Sequence, residues 1–328
     1  MFDRSRRNRK NEGIRSLIRE NSVTVNDMIA PLFFIEGKSQ KIPIDSMPGQ
    51  YRYSLDLLVK EVKELEKLGI NCISLFPAID ESLKTTCASE SFNRDGLNQR
   101  AIKEIKNAVP EMLIMTDIAL DPYNSDGHDG IVDKKNGEIL NDETLEVLMK
   151  MALCQAQAGS DILGPSDMMD GRVLAIREAL EENNFRNTNI MSYTAKYASA
   201  FYGPFRDALD SSPKSGDKKT YQMDFSNSNE AIREAIQDEQ EGADILMVKP
   251  GLSYLDVIYR LKQKSNLPIA AYNVSGEYAM VKAAAQNGWI NGEQIMLETL
   301  TAFKRAGADI ILTYFAKEMA YYLRDNSK

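Results

Sequence analysis

Cysteine is scarce in this chain of 328 residues, and Cys72, Cys87 and Cys154 are its only three. They are far apart, odd in number and show no CxxC spacing. Neither a disulfide framework nor a cysteine-rich zinc site is expected, and reduced thiols fit a cytoplasmic protein. Histidine is scarcer still, since His128 stands alone. In its polar loop His128 is expected to be solvated, which leaves zinc without its usual nitrogen donors. There is no run of about 18 apolar residues, so no membrane span is expected. A net charge of −8 argues against general nucleic-acid binding. The basic, polar stretch Met1–Lys10 has no apolar segment behind it, unlike a secretory signal.

What the chain does have is a recurring phrase in which a helix stops at glycine and a short apolar strand follows. Leu68-Gly69-Ile70-Asn71 precedes Cys72–Phe76, and Ala158-Gly159-Ser160-Asp161 precedes Ile162–Pro165. Gly242-Ala243-Asp244 leads into Ile245–Lys249, and Ala306-Gly307-Ala308-Asp309 into Ile310–Tyr314. Strands that are apolar without alternation are buried on both faces, as in a parallel sheet wrapped by helices. Met28–Ile35, Met112–Leu120, Ile190–Lys196 and Pro268–Val274 complete a set of eight. Amphipathic helical stretches lie between them, including Leu55–Leu68, Asp142–Ala158, Arg172–Glu182, Asn229–Glu241 and Gly292–Ala306. The expected fold is a (β/α)8 TIM barrel over residues 28–328, with a doubly wound open sheet as the alternative. Residues 1–27 stand outside the pattern, either as a solvated tail or as an arm that wraps a neighbouring subunit. Residues 203–228 are expected to form a polar lid over the barrel mouth.

Lysines end two of these strands, Lys196 and Lys249. The C-terminal strand tips of such a barrel gather at one mouth, where small molecules bind. A lone strand-end lysine is ordinarily a phosphate binder or a rim residue. Two on successive strands can lower each other's pKa and yield the neutral amine that attacks a carbonyl. Asp117 and Asp121 lie at or just after the tip of the third strand, and Asp129 follows. Such a run is common turn chemistry, but beside paired lysines it can orient amines, move protons or hold a hard cation. The hydroxyls of Tyr272, Ser275 and Tyr314 lie after the last two strands, suited to a substrate carboxylate. Arg206, Lys218 and Gln222 on the expected lid suit a second one.

The segments Gly164-Pro165-Ser166-Asp167-Met168-Met169-Asp170-Gly171-Arg172, Tyr193–Ser199, Phe201–Arg206, Met247–Gly251 and Tyr272–Tyr278 carry a close resemblance to the porphobilinogen synthase (5-aminolevulinate dehydratase) family. It extends over essentially the whole chain. The resemblance implies an asymmetric condensation of two 5-aminolevulinate molecules to porphobilinogen, with loss of two waters. It assigns the propionate-side Schiff base to Lys249 and the acetate-side one to Lys196. It places Asp117 and Ser166 near the reacting centre, with Asp121 and Asp129 beside them. Ser275, Tyr314 and Tyr272 are expected at one substrate carboxylate, and Arg206, Lys218, Gln222 and Phe201 at the other. Ala119, Asp121 and Asp129 stand where many members carry three zinc-binding cysteines, so magnesium rather than zinc is expected. A separate magnesium site is implied at Glu241, with Asp167 reaching its waters. The resemblance also implies a homo-octamer with allosteric behaviour, which gives the arm a role. Two other readings are a class I aldolase-type Schiff-base lyase and a noncatalytic barrel that scaffolds a complex.

Overall fold

The computed structural model describes residues 2–209 and 213–326. Asp210, Ser211 and Ser212 of the expected lid, together with the two chain ends, lie outside the described residues. Eight parallel strands form the barrel: β1 Met28–Ile35, β2 Cys72–Pro77, β3 Leu113–Ile118, β4 Ile162–Pro165, β5 Asn189–Lys196, β6 Ile245–Lys249, β7 Ile269–Asn273 and β8 Ile310–Thr313. Each pairs with the next, and β8 closes on β1 through Met28↔Ile311 and Ile29↔Leu312. The closed barrel rules out the open-sheet alternative. It follows from strands whose residues are buried on both faces, as across all six positions of β2, since a barrel leaves no edge to cover.

Helices return the chain between strands and bury one face against the barrel. In Leu55–Lys67 the buried positions include Leu55, Leu58, Val62 and Leu65, a helical period that seats leucines on the sheet. Each such side chain contributes roughly 1.5–3 kcal/mol by leaving water. Gly159 and Gly307 end their helices at φ 113° and 110°, a conformation costly for any residue with a Cβ. The spacing of the recurring phrase therefore reports real helix ends.

Some elements escaped the sequence pattern because they are short or contribute little apolar periodicity. Lys41–Pro43 pairs antiparallel with Tyr51–Ser54, which itself adds parallel to β1. A second small hairpin joins Ile131–Val132 to Ile139–Leu140. In the N-terminal segment Glu12–Leu17 is helical, with the Asn11 side chain accepting from Ile14 N at 3.0 Å. That helix buries none of its residues, and Leu17 is 80% exposed. The segment is anchored where it meets the barrel by Asp27 and Lys304, 2.9 Å apart. The stretch expected as a polar lid is partly regular, because Gly203–Leu209 is a helix. Arg52 fastens that helix by donating to the carbonyls of Asp207 and Ala208. No helix among the described residues is long and apolar enough to cross a membrane.

Candidate active site

β5 and β6 are neighbours, and their register sets Lys196 directly beside Lys249. Both side chains are buried, yet their surroundings differ. Lys196 Nζ donates to Asp129 Oδ2 at 3.0 Å and to the Ser166 carbonyl. Lys249 Nζ lies 4.7 Å from the ring centre of Tyr272, 5.0 Å from Tyr193, 5.1 Å from Phe205 and 5.2 Å from Tyr202. Burial, reinforced by the charge of Lys196, lowers the Lys249 pKa to about 7. Far more of this amine is therefore neutral at ordinary pH than of a solvated lysine, and the neutral form is the nucleophile.

The aspartates divide by environment. Asp117 accepts from Ser166 Oγ at 3.0 Å, and burial raises its pKa to about 6 against the pull of both lysines. Burial would also raise Asp129, but Lys196 and Lys218 prevail and hold it well below the usual carboxylate range. Lys218 comes from the lid segment and reaches Asp129 and Asp121, the latter at 3.3 Å. Although burial opposes its charge, these two carboxylates hold its pKa above the ordinary lysine value. Two carboxylates and two ammoniums thus neutralise one another on the floor of the site.

That pairing bears on a metal at the reacting centre. Asp121 and Asp129 spend their oxygens on lysines, and among the described residues no three His, Cys, Asp or Glu side chains gather as a ligand set. The residues present do not fit a catalytic metal there. Asp167 feels the charge of Lys196, but neither Asp167 nor Glu241 hydrogen-bonds to this cluster among the described residues. Asp167 follows Ser166 in sequence, but its Oδ1 accepts from Met169 N at 2.8 Å and its Oδ2 has no partner among the described residues. Glu241 accepts from Leu174 N at 3.3 Å and from Gln237 at 2.8 Å. Both carboxylates act on the buried guanidinium of Arg172.

The expected carboxylate binders fall into two groups. Tyr272 and Tyr314 join through their hydroxyls at 2.9 Å. Ser275 opens the helix Ser275–Gln286; its Oγ accepts from Phe205 N at 3.0 Å and donates to the Phe201 carbonyl at 3.3 Å. Phe201, Arg206, Lys218 and Gln222 line one cleft of about 580 Å³, with Ser199 and Tyr254 among the other walls. The structure therefore brings together what the sequence left scattered over some hundred residues.

One expectation is corrected. His128 is not solvated: it is 5% exposed, with Nδ1 at 3.0 Å from Tyr221 Oη and Nε2 at 2.9 Å from the Ser215 carbonyl. The lid segment folds back over the aspartate loop and satisfies both ring nitrogens, which a local reading of polarity cannot foresee. Of the four rings around Lys249, only Tyr272 was expected at the site; Tyr193, Tyr202 and Phe205 were not, although they stand inside the motifs given above. Also missed was Glu277, whose carboxylate accepts from Leu252 N, Val274 N and Asn273 and ties the loop after β6 to the helix after β7.

A (β/α)8 barrel with two buried, adjacent strand-end amines, one of them poised near neutrality, defines a carbonyl-condensing enzyme of the Schiff-base class. The model of the family described as delta-aminolevulinic acid dehydratase matches residues 2–322. The chain belongs to that family. It is 54% identical over 98% of its length to the chloroplastic delta-aminolevulinic acid dehydratase of Chlamydomonas reinhardtii, of which it covers 84%. With the Synechocystis enzyme of the same name it shares 53% identity over 98% of both chains. Its fold superposes with a TM-score of 0.98 on the crystal structure of delta-aminolevulinic acid dehydratase (porphobilinogen synthase) from Toxoplasma gondii ME49 in complex with the reaction product porphobilinogen. The two are 54% identical, with 99% of this chain and 92% of that one covered.

Proposed function

We infer that this chain is a porphobilinogen synthase, a lyase that condenses two 5-aminolevulinate molecules with loss of two waters in porphyrin biosynthesis. The observation that carries the reading is the Lys196–Lys249 pair, with one amine ion-paired and the other held among rings. Lys249 forms the Schiff base with the propionate-side substrate, and Lys196 that with the acetate-side substrate. Ser275 and Tyr314, with Tyr272, take the first substrate's carboxylate. Arg206, Lys218 and Gln222 take the second, with Phe201 against its chain. Asp117, Asp121, Asp129 and Ser166 orient the amines and move protons at the reacting carbons. Residues 203–228 act as the lid, which is supported by the position of Lys218 over Asp121 and Asp129. A class I aldolase needs only one such amine, so the second favours the two-substrate reaction.

The proposal extends to magnesium, with Glu241 as its carboxylate ligand and Asp167 facing its waters. Magnesium keeps several waters and needs few carboxylates, and Asp167 Oδ2, without a hydrogen-bond partner among the described residues, is compatible with this. Held by Glu241 and Asp167, the cation would neutralise local charge and so support allosteric activation. We further assign a cytoplasmic homo-octamer, with the segment 1–27 as its intersubunit arm; its helix Glu12–Leu17 buries none of its residues. The free thiols of Cys72, Cys87 and Cys154 accord with a reducing compartment.

Borohydride trapping with 5-aminolevulinate, followed by peptide mass spectrometry, tests the reading. A reduced adduct on Lys249, alone or with Lys196, is expected. Folded, magnesium-supplied protein that yields no adduct on either lysine would overturn it.

A further inference from the structure

Two buried polar atoms beside Lys249, Asp117 Oδ1 and Tyr193 Oη, have no close hydrogen-bond partner among the described residues, although the Asp117 carboxylate acts on the Tyr193 hydroxyl through a looser side-chain hydrogen bond. A phenol or carboxylate oxygen left bare in an interior costs about 1–3 kcal/mol, so each asks for an explanation. Tyr193 is fully buried, and Lys249 Nζ lies 5.0 Å from its ring centre. After burial itself, the charge of Asp117 is the strongest influence that keeps the phenol protonated.

The backbone is shaped to put Tyr193 there. Along β5 and β6 the pairing runs Leu246↔Ser192 and then Val248↔Ala195, so β5 carries one extra residue at Tyr193–Thr194. In an unbroken strand Tyr193 and Lys196, three apart, would point to opposite faces. The bulge lets both serve one cluster, which is how bulges re-aim side chains beside active sites. On the neighbouring strand Gly164 leaves the room, because a Cβ there would lie 3.0 Å from Tyr193 Cε2 and 2.5 Å from Met115 Cε. A tyrosine needed only for its ring would gain nothing from a hydroxyl held close to a buried carboxylate.

We propose that Tyr193 and Asp117 form a proton relay that carries protons from the nitrogen of Lys249 to the oxygen of the substrate ketone. The relay rests on the Schiff-base reading above. Lys249 Nζ attacks the carbonyl carbon, a C–N bond forms, and the carbonyl π pair moves to oxygen. Asp117 Oδ1 takes a proton from nitrogen while Tyr193 gives its phenolic proton to oxygen, and Asp117 then reprotonates Tyr193. In a second round Tyr193 protonates the hydroxyl, the C–O bond breaks to release water, and the nitrogen lone pair closes the C=N bond. The remaining N–H proton returns through Asp117 to Tyr193. One amine and one ketone give one imine and one water, with no proton gained or lost.

The test is Tyr193→Phe, which keeps the ring over Lys249 and removes only the hydroxyl. The probe is 4-oxopentanoate, a ketone with the substrate's carboxylate and no amine, trapped by borohydride at timed intervals. The rate of adduct formation on Lys249 is expected to fall about 100-fold, within the range for losing one general acid. The affinity for the probe is expected to change less than about threefold, since only the chemical step loses an interaction. Asp117→Asn is expected to show the same split. Wild-type adduct formation with an unchanged rate in Tyr193→Phe overturns the relay and leaves the functional reading intact. A wild type that forms no adduct overturns the functional reading and the relay together.

Discussion

Lys249 and Lys196 are register partners on adjacent strands, yet one ends among four aromatic rings and the other on the Asp129 carboxylate. The same residue at equivalent strand tips therefore has two electrostatic environments. That difference accounts for how two like substrate molecules can be handled unlike each other at one mouth, where positioning supplies much of the rate.

Replacing Lys249 by alanine is expected to lower turnover by roughly three orders of magnitude or more, since among the described residues no other amine occupies its ring-lined place. Porphobilinogen formation by the purified variant, followed under saturating 5-aminolevulinate, checks this. Near-normal product formation would remove Lys249 from its role.

The pH dependence follows from the direction of two shifts. Lys249 attacks only when neutral, and its pKa is lowered to about 7. Asp117 accepts a proton only when ionised, and its pKa is raised to about 6. Because the two interact, these values belong to the pair. Adduct formation should therefore rise with pH between about 6 and 7, steeply below 6, where both groups hold the wrong proton. A rate that is flat across this range would contradict the assignment.

Asp129→Ala leaves the ammoniums of Lys196 and Lys218 buried without their shared carboxylate. Removing one partner from a buried ion cluster costs roughly 3–5 kcal/mol, to be read from urea unfolding midpoints. The native carboxyl is held below its ordinary value of 3.8. Its contribution is thus complete above that pH and fades as pH falls through the folded value. The gap between variant and wild type should narrow in acid, and a gap that widens there would contradict the pairing.

Gly276 lies against the backbone of Phe201, and an added Cβ would stand 2.5 Å from its carbonyl oxygen and 2.8 Å from its Cα. Gly276→Ala must push Phe201, just before the lid, away from Ser275. A loss of about 1–3 kcal/mol in stability is expected from such overpacking, with a higher KM for 5-aminolevulinate. Calorimetry and steady-state kinetics report the two effects separately.

Chelation of magnesium is expected to reduce turnover and its return to restore it, with zinc failing to substitute because carboxylates favour hard cations. Borohydride-trapped adduct on Lys249 should still form without metal, since Lys218 rather than a cation neutralises Asp121 and Asp129. Loss of the adduct on chelation would place a metal at the reacting centre after all.

Eight strands, the glycine-closed helices and both strand-end lysines were legible locally, because burial on both faces and helix termination leave their mark on neighbouring residues. The carboxylates were legible as types but not as partners. Only the closed barrel gives Asp129 to Lys196, Tyr272 to Tyr314, and the lid's Lys218 to Asp121. The same holds for His128, whose two partners lie 93 and 87 residues away. The bulge that turns Tyr193 toward Lys249 was likewise hidden, since one extra residue in a strand alters no composition and shows only against the strand beside it. The sequence determined which chemical groups this protein has and the strand ends that carry them. Tertiary structure decided which of those groups lose water and which charges they meet, and so why the amine of Lys249 gives up its proton more easily than a solvated lysine.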